Sequence, residues 1–218
     1  GLIEFANEVM DNKGILFIPS FSVERSQEIA CVLKNANFQH PVIMDGMALK
    51  VNDIMFRYPE YLKNINIFSD AVNDAFLVRN HSDRKRAILK PCAIISPAGM
   101  LVGGNAVYYM QKLAFDDKNG IAMVSYQGEG TPGKKLLETG KILANGKEMK
   151  VKATVKQFEF SGHADRDSLF DMIKNIKGNP KVLTVHGDNE SCVKFAEEIQ
   201  QKFGLDAYPP KLGEEISV

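Results

Sequence analysis

Two of the four histidines in this sequence lie where a side chain could do chemistry. His163 lies in the segment 160–165, where a β-rich run breaks at glycine and a helical pattern begins, and His186 follows the apolar run 182–185. Side chains at the carboxyl ends of parallel strands surround the usual ligand crevice of an open α/β sheet. A histidine there can ligate a metal ion through a neutral ring nitrogen or donate a proton as a general acid. The pair indicates a metal or acid–base site, and a structural role for both is the open alternative.

An aspartate follows each of these histidines by two residues. Asp165 and Asp188 could hold the second ring nitrogen of the neighbouring histidine, as outer carboxylates do in metal sites. The other histidines lack such a setting, because His40 precedes a proline and His81 lies in a charged loop. A structural or surface role is predicted for both.

Two glycine-containing segments, 96–105 and 125–133, follow strand-like runs and have the character of anion-binding loops. Amides at a helix N-terminus attract anions, and glycine lets a phosphate approach the backbone. Neither segment contains G-x-G-x-x-G or a Gly-Lys-Ser/Thr sequence, so a nucleotide-dependent enzyme is disfavoured. Tight turns that need glycine are the alternative for either segment alone. The candidate groove residues in these segments are Ser96, Gly99, Gly103, Gly104, Tyr126 and Gly128.

The elements that must position these residues alternate between β-rich and amphipathic stretches. Apolar runs predict strands covered on both faces at 14–19, 41–44, 93–96 and 120–125. Amphipathic runs predict helices at 24–35, capped by Ser22, and at 47–57, 83–89 and 104–113. This alternation is typical of an α/β fold with a parallel sheet and helices on both faces.

The pattern changes from residue 141 onwards. Polar and apolar residues alternate at 141–143 and 150–160 around Asn145-Gly146, which predicts a hairpin. A helix at 165–177, a buried strand at 181–185 and a helix at 190–203 that ends at Gly204 follow. We therefore expect two domains, 1–157 and 158–218.

Composition is that of a globular protein, with 44% hydrophobic and 25% charged residues, and it limits the function. No apolar run is long enough for a membrane span and the first residues do not form a signal peptide, so a cytoplasmic protein is the default. The three cysteines are scattered, which predicts reduced thiols. The net charge is zero, which weakens the case for nucleic-acid binding, but basic residues cluster at 84–90 and 134–156.

Six short motifs in this order resemble those of the β-CASP branch of the metallo-β-lactamase nucleases. Segments 160–165 and 185–188 resemble the family's motifs B and C. The others are 18–29 (IPSFSVERSQEI), 41–48 (PVIMDGMA), 98–104 (AGMLVGG) and 126–133 (YQGEGTPG). Together they run through nearly the whole chain, and they resemble archaeal cleavage and polyadenylation specificity factors more than ribonuclease J.

The resemblance implies a Rossmann-like β-CASP domain followed by the C-terminal part of a metallo-β-lactamase αββα fold. It also implies a zinc-dependent ribonuclease that hydrolyses single-stranded RNA, with two zinc ions. His163, with Asp165, would serve as or support the general acid, and His186 would be a zinc ligand. The strand-end loops and Arg25 would contact RNA, although Arg25 could instead pair with Glu28. A homodimer or a processing complex is compatible with this resemblance.

Three departures from the family pattern qualify these expectations. Glu24 replaces the glycine that is usual before Arg25, and the sequence contains no H-x-H-x-D-H segment. The acidic motif A of the family would lie before Gly1, and the sequence starts within a segment that resembles a family helix. We therefore expect the sequence to be part of a longer protein and this chain alone to be inactive. The rival hypothesis from another class is a non-catalytic RNA-binding or scaffold subunit of a processing complex.

Overall fold

The computed structural model describes residues 1–144, 146–160, 162 and 164–216. The chain forms two compact units, Gly1–Phe160 and Ser161–Val218. The domain boundary that we expect between residues 157 and 158 remains a prediction.

The first unit is built on a six-stranded parallel sheet. Its strands are β1 Leu16–Pro19, β2 Val42–Asp45, β3 Phe76–Val78, β4 Ala93–Ser96, β5 Gly120–Met123 and β8 Thr154–Gln157. Their order in the sheet is β3-β2-β4-β1-β5-β8. The central strands are buried throughout, as the apolar runs predict, because helices cover both faces.

Helices flank the sheet in two layers. Successive strand residues point to opposite faces, so Leu16 and Ile18 pack in one core while Phe17 packs in the other. The first layer contains α1 Leu2–Asp11, α2 Arg25–Asn35, α3 Met47–Arg57 and α4 Ile65–Asp74, with a 3-10 turn at Pro59–Tyr61. The second contains α5 His81–Ala87, α6 Gly104–Leu113 and α7 Pro132–Thr139. The predicted Rossmann-like architecture is confirmed.

Two local predictions in this unit are wrong. Ser22 does not cap α2: the capping residue is Glu24, with φ of 68°, and its side chain makes no capping hydrogen bond. The hairpin is present, as β6 Lys141–Ala144 paired with β7 Lys147–Lys150, but its second arm does not continue to residue 160. Residues Thr154–Gln157 instead join β5 as a parallel strand, because an alternating run fits either neighbour and only long-range contacts choose. Asn145 lies outside the described residues.

The second unit has a small core of its own. Its elements are α8 Arg166–Lys174, β9 Val182–Leu183, α9 Asn189–Phe203 and β10 Ala207–Tyr208, and β9 pairs with β10 in parallel. The predicted stop of the last helix is confirmed, since Gly204 caps α9 in the left-handed conformation.

The prediction of a buried strand at 181–185 is wrong. Within the described part of the second unit, the sheet has two strands, and β9 contains only Val182 and Leu183. Leu183 is 39% exposed and Val185 is 59% exposed, because a two-stranded sheet that packs on one side leaves alternate side chains in solvent.

Among the described residues, no helix is long and apolar enough to span a membrane.

Candidate nucleic-acid interface

The carboxyl edge of the six-stranded sheet, between β1 and β4, is the place where an open α/β sheet has its ligand crevice. The chain leaves β1 through α2 on one face and leaves β4 through α6 on the other. Loops that depart to opposite faces from neighbouring strands leave a gap, and ligands of doubly wound sheets bind there. We call the segments that follow β1, β4 and β5 the strand-end loops; they span residues 20–24, 97–103 and 124–131.

The three strand-end loops interlock at Gly99. A Cβ atom added at Gly99 would lie 2.7 Å from Oγ of Ser125, 2.9 Å from its Cβ and 3.2 Å from the backbone nitrogen of Phe21. Those neighbours belong to the loops after β5 and β1. Only glycine fits this junction without displacing a neighbour, and an RNA contact by Gly99 remains a prediction.

Gln127 ties the loop after β4 to the loop after β5. Its Nε2 donates to the carbonyl oxygens of Gly99 at 2.9 Å and Ser125 at 2.8 Å. The amide of Gly133 donates to the carbonyl of Met100 at 3.0 Å. Within the described part of the chain, Oε1 of Gln127 and Oγ of Ser125 are buried without a hydrogen-bond partner. Such orphans usually indicate bound water or function.

The rim of the crevice is exposed, unlike its interlocked base. Tyr126 is 73% exposed and Phe21 is 41% exposed. Gly103 caps α6 with φ of 78° and Gly104 has φ of 65°, and both are exposed. The first amides of a helix have no partner within it, so the α6 N-terminus can bind an anion. Gly128 is half-buried, and a Cβ atom added to it would lie 3.7 Å from the Tyr126 ring.

The structure leaves two other predicted contact residues less open. Ser96 is fully buried, and its hydroxyl donates to the carbonyl of Pro97 at 3.2 Å. Arg25 is half-buried, pairs with the Glu28 carboxylate and stacks over the Phe160 ring at 5.5 Å. The alternative pairing with Glu28 is therefore present, while an RNA contact by Arg25 or Ser96 remains a prediction.

Asp45, at the end of β2, is a site residue that the sequence interpretation missed. It is 1% exposed and accepts hydrogen bonds from Nε and Nη2 of Arg84 at 2.6 and 2.9 Å, from Asn105 Nδ2 at 3.0 Å and from the Tyr109 hydroxyl at 2.8 Å. The hydrogen bond to Asp45 raises the pKa of Arg84. Burial, then the charge of Asp45, raises the pKa of Tyr109. The available signal was a charged residue at the end of an apolar strand, directly before Gly46.

In the second unit, His186 is exposed in the turn after β9 and has φ of 66°, an unusual conformation for a residue with a side chain. The two aspartates cap helices. Asp165 accepts from the Ser168 amide at 2.8 Å, and Asp188 accepts from the amide of Ser191 at 2.8 Å and its hydroxyl at 2.7 Å. The backbone hydrogen bonds from these serines lower the pKa of both carboxyls. His163 lies outside the described residues, so its predicted role remains a prediction.

The described residues do not make a zinc site by themselves. No group of three histidine, cysteine, aspartate or glutamate side chains in this part of the chain could hold a metal ion. His186 would supply one ligand, whereas Asp188 is engaged by Ser191. A protein zinc site needs three or four ligands.

Comparison with known proteins identifies the family. The Beta-Casp domain profile matches residues 26–136, and the profile of the Zn-dependent metallo-hydrolase RNA specificity domain matches residues 148–210. The chain therefore belongs to the β-CASP branch of the metallo-β-lactamase nucleases, as its motifs predict.

Individual relatives are archaeal. The chain is 40% identical over 211 residues to a Saccharolobus solfataricus protein named RNase aCSPSF2, covering 97% of this chain and 42% of that protein. It is 32% identical over 220 residues to the probable RNase MJ4 of Methanocaldococcus jannaschii, covering 99% and 51%. It is 34% identical over 231 residues to the transcription termination factor FttA of the same organism, covering 96% and 36%. The chain thus spans between 36% and 51% of the length of these three relatives.

Proposed function

We propose that this chain is the RNA-holding part of a zinc-dependent ribonuclease that hydrolyses phosphodiester bonds in single-stranded RNA. One observation carries the proposal: the exposed N-terminus of α6 and the exposed Tyr126 ring belong to the two strand-end loops that Gln127 ties together at the carboxyl edge of the sheet. Amides bind phosphate oxygens, and an aromatic ring stacks on an unpaired base.

The geometry favours recognition without sequence preference. Every nucleotide offers the same phosphate to the amides of Gly103 and Gly104, and every base has a face on which Tyr126 can stack. The interlocked base of the crevice, at Gly99 and Gln127, holds these groups in place without side-chain charge. A neutral chain can bind RNA in this way.

The catalytic roles are proposed from the family membership. His186 would be one ligand to zinc, with two ions in the complete site. His163, with Asp165, would act as the general acid or support it. Two of the three relatives described are named as RNases and the third as a transcription termination factor, which supports an enzyme that acts on RNA. No observation favours the non-catalytic scaffold alternative.

RNA binding is tested by substituting the ring. We expect Tyr126→Ala to raise the Kd for a fluorescent single-stranded RNA by roughly 5- to 150-fold, because base–aromatic stacking contributes about 1–3 kcal/mol. Tyr61→Ala is the matched control, since Tyr61 is 82% exposed in the 3-10 turn after α3. Equal Kd values for the two variants would contradict the proposal.

The catalytic roles need a separate assay. In the protein as its gene encodes it, His163→Ala and His186→Ala should each abolish cleavage of end-labelled RNA while RNA affinity stays within about twofold. Full activity in both variants would show that the proposed roles are wrong. The cleavage products would also distinguish internal cuts from release of mononucleotides at the 5′ end.

A further inference from the structure

We propose that the RNA path continues from the α6 N-terminus across a basic and aromatic surface formed by α5 and α6. This inference rests on the proposed function. The surface, called here the α5–α6 surface, consists of Arg79, His81, Arg84, Lys85 and Tyr108. It would bind the phosphates of a strand longer than the strand-end loops can hold.

The charge of this region is strongly one-sided. Between Arg79 and Lys90 there are five basic residues and one acidic residue, Asp83, in a chain whose net charge is zero. The charge of one of the five, Arg84, is balanced by the buried carboxylate of Asp45, so the excess comes from the other four. Asp83 is half-buried, and its carboxylate accepts from the Arg79 amide at 3.1 Å. Arg79 and Lys85 are exposed. A local excess of positive charge of this kind attracts a polyanion.

The surface lies at the same edge of the sheet as the crevice. Arg79 directly follows β3, whose last residue, Val78, is level with Asp45 in the parallel register. Arg84 and Asn105 both bind the Asp45 carboxylate. Asn105 is the residue after Gly104, so this network joins α5 to the first turn of α6.

Side-chain spacing brings the members of the surface together. His81, Arg84 and Lys85 are three and four residues apart, so they share a face of α5. That face is turned to α6, because the His81 ring lies edge-on to Tyr108 at 5.8 Å and the Arg84 guanidinium lies 5.9 Å from the same ring. Arg86 is different, since it stacks over Phe76 at the start of β3.

A second basic cluster lies at the opposite edge of the sheet. The β6–β7 hairpin exposes Lys147 and Lys150, and the next lysine, Lys152, donates its amide to the Ala114 carbonyl. Ala114 caps the C-terminal end of α6, whereas the crevice lies at the N-terminal end of that helix. The hairpin therefore has similar charge and the wrong position, which makes it a matched control.

The experiment compares two double variants that each remove two exposed charges. Kd values for a short single-stranded RNA of about 4 nucleotides and a long one of about 20 would be measured at several salt concentrations. For Arg79→Gln/Lys85→Gln we expect the Kd of the long RNA to rise roughly tenfold near 0.15 M salt. The slope of log K against log salt should fall in magnitude by about 1.4, which corresponds to two lost phosphate contacts. The Kd of the short RNA should stay unchanged.

For Lys147→Gln/Lys150→Gln we expect both Kd values to match those of the wild type. Equal effects of the two double variants, or no effect of the α5 variant on the long RNA, would overturn the inference while leaving the proposed function intact. Failure of the wild type to bind either RNA would instead contradict the proposed function. Melting temperatures of the variants within about 2 °C of the wild type would show that exposed glutamines left the fold intact.

Discussion

At the scale of single residues, Asp45 joins the end of β2 to two helices of the second layer. Its carboxylate is buried and accepts from Arg84, Asn105 and Tyr109. A buried carboxylate is costly unless every lone pair is engaged, and here the guanidinium supplies both charge and two hydrogen bonds. Removing the Asp45 carboxylate would leave the Arg84 guanidinium and the Tyr109 hydroxyl without their partner.

We expect Asp45→Ala to lower the free energy of unfolding by about 3–5 kcal/mol, because breaking a buried ion pair leaves the other charge uncompensated. Urea denaturation followed by circular dichroism would measure the change. Asp53→Ala is the control, since Asp53 is exposed on α3 and its loss should change stability by less than about 0.5 kcal/mol. A loss below about 1 kcal/mol for Asp45→Ala would contradict this account of the network.

The capping aspartates predict how the second unit responds to acid. Hydrogen bonds from the helix amides lower the pKa of Asp165 and Asp188. Their stabilisation is therefore fully present above the ordinary carboxyl pKa, and it is lost as pH falls through the lowered folded-state value. We expect the melting temperature of the second unit to decrease as the pH decreases through this acidic range.

Asp188→Asn should keep α9 capped and flatten this pH dependence, because asparagine caps a helix about as well as aspartate without titrating. Asp188→Ala should lower the melting temperature at neutral pH as well. Thermal denaturation at a series of pH values distinguishes these outcomes. A pH dependence identical in the wild type and Asp188→Asn would disprove the contribution of this carboxylate.

At the scale of elements, the crevice depends on loops that pack against one another. Gly99 touches the loops after β1 and β5, and Gln127 bonds the loop after β4 to the loop after β5. Positions of the exposed amides and the Tyr126 ring therefore depend on contacts at the crevice base. A small side chain introduced there should disturb RNA binding without touching RNA.

We expect Gly99→Ala to cost about 1–3 kcal/mol of stability and to weaken RNA binding, because the new methyl group overlaps Ser125. Ser125→Gly should relieve most of that loss in the double variant. Gly128→Ala is the control for stability alone, since its added Cβ meets nothing closer than 3.7 Å. Additive losses in the double variant, measured by urea denaturation, would show that the overlap is not the cause.

At the scale of the whole molecule, we propose an edge that binds RNA, and the described residues do not form a metal site by themselves. In the described residues no group of three suitable ligands converges, and His186 alone cannot hold zinc tightly. We expect the 218-residue chain to bind less than stoichiometric zinc by metal analysis and to leave RNA uncut, while still binding it. Stoichiometric tight zinc, with cleavage that a chelator abolishes, would refute this expectation.

Local patterns determined much of this protein. Apolar runs and helical spacing predicted β4, α3 and α6 at the bounds observed, and the motifs around Gly103 and Tyr126 predicted the family. These signals are local because hydrophobic periodicity, helix termination and turn chemistry act within about ten residues. They were sufficient for the fold class, whereas the RNA contacts of Gly103, Gly104 and Tyr126 remain predictions.

The tertiary structure decided what depends on neighbours distant in sequence. The alternating run at 154–157 could pair with β6, and only the hydrogen bonds to β5 make it the sixth strand. Asp45 binds Arg84 and Tyr109, which are 39 and 64 residues away in the sequence. The strand-end loops that pack together at Gly99 are likewise distant in the sequence. Which basic cluster lies beside the α6 N-terminus was also a matter of tertiary structure. Charge can be counted along a chain, but its position relative to a binding site is set by packing.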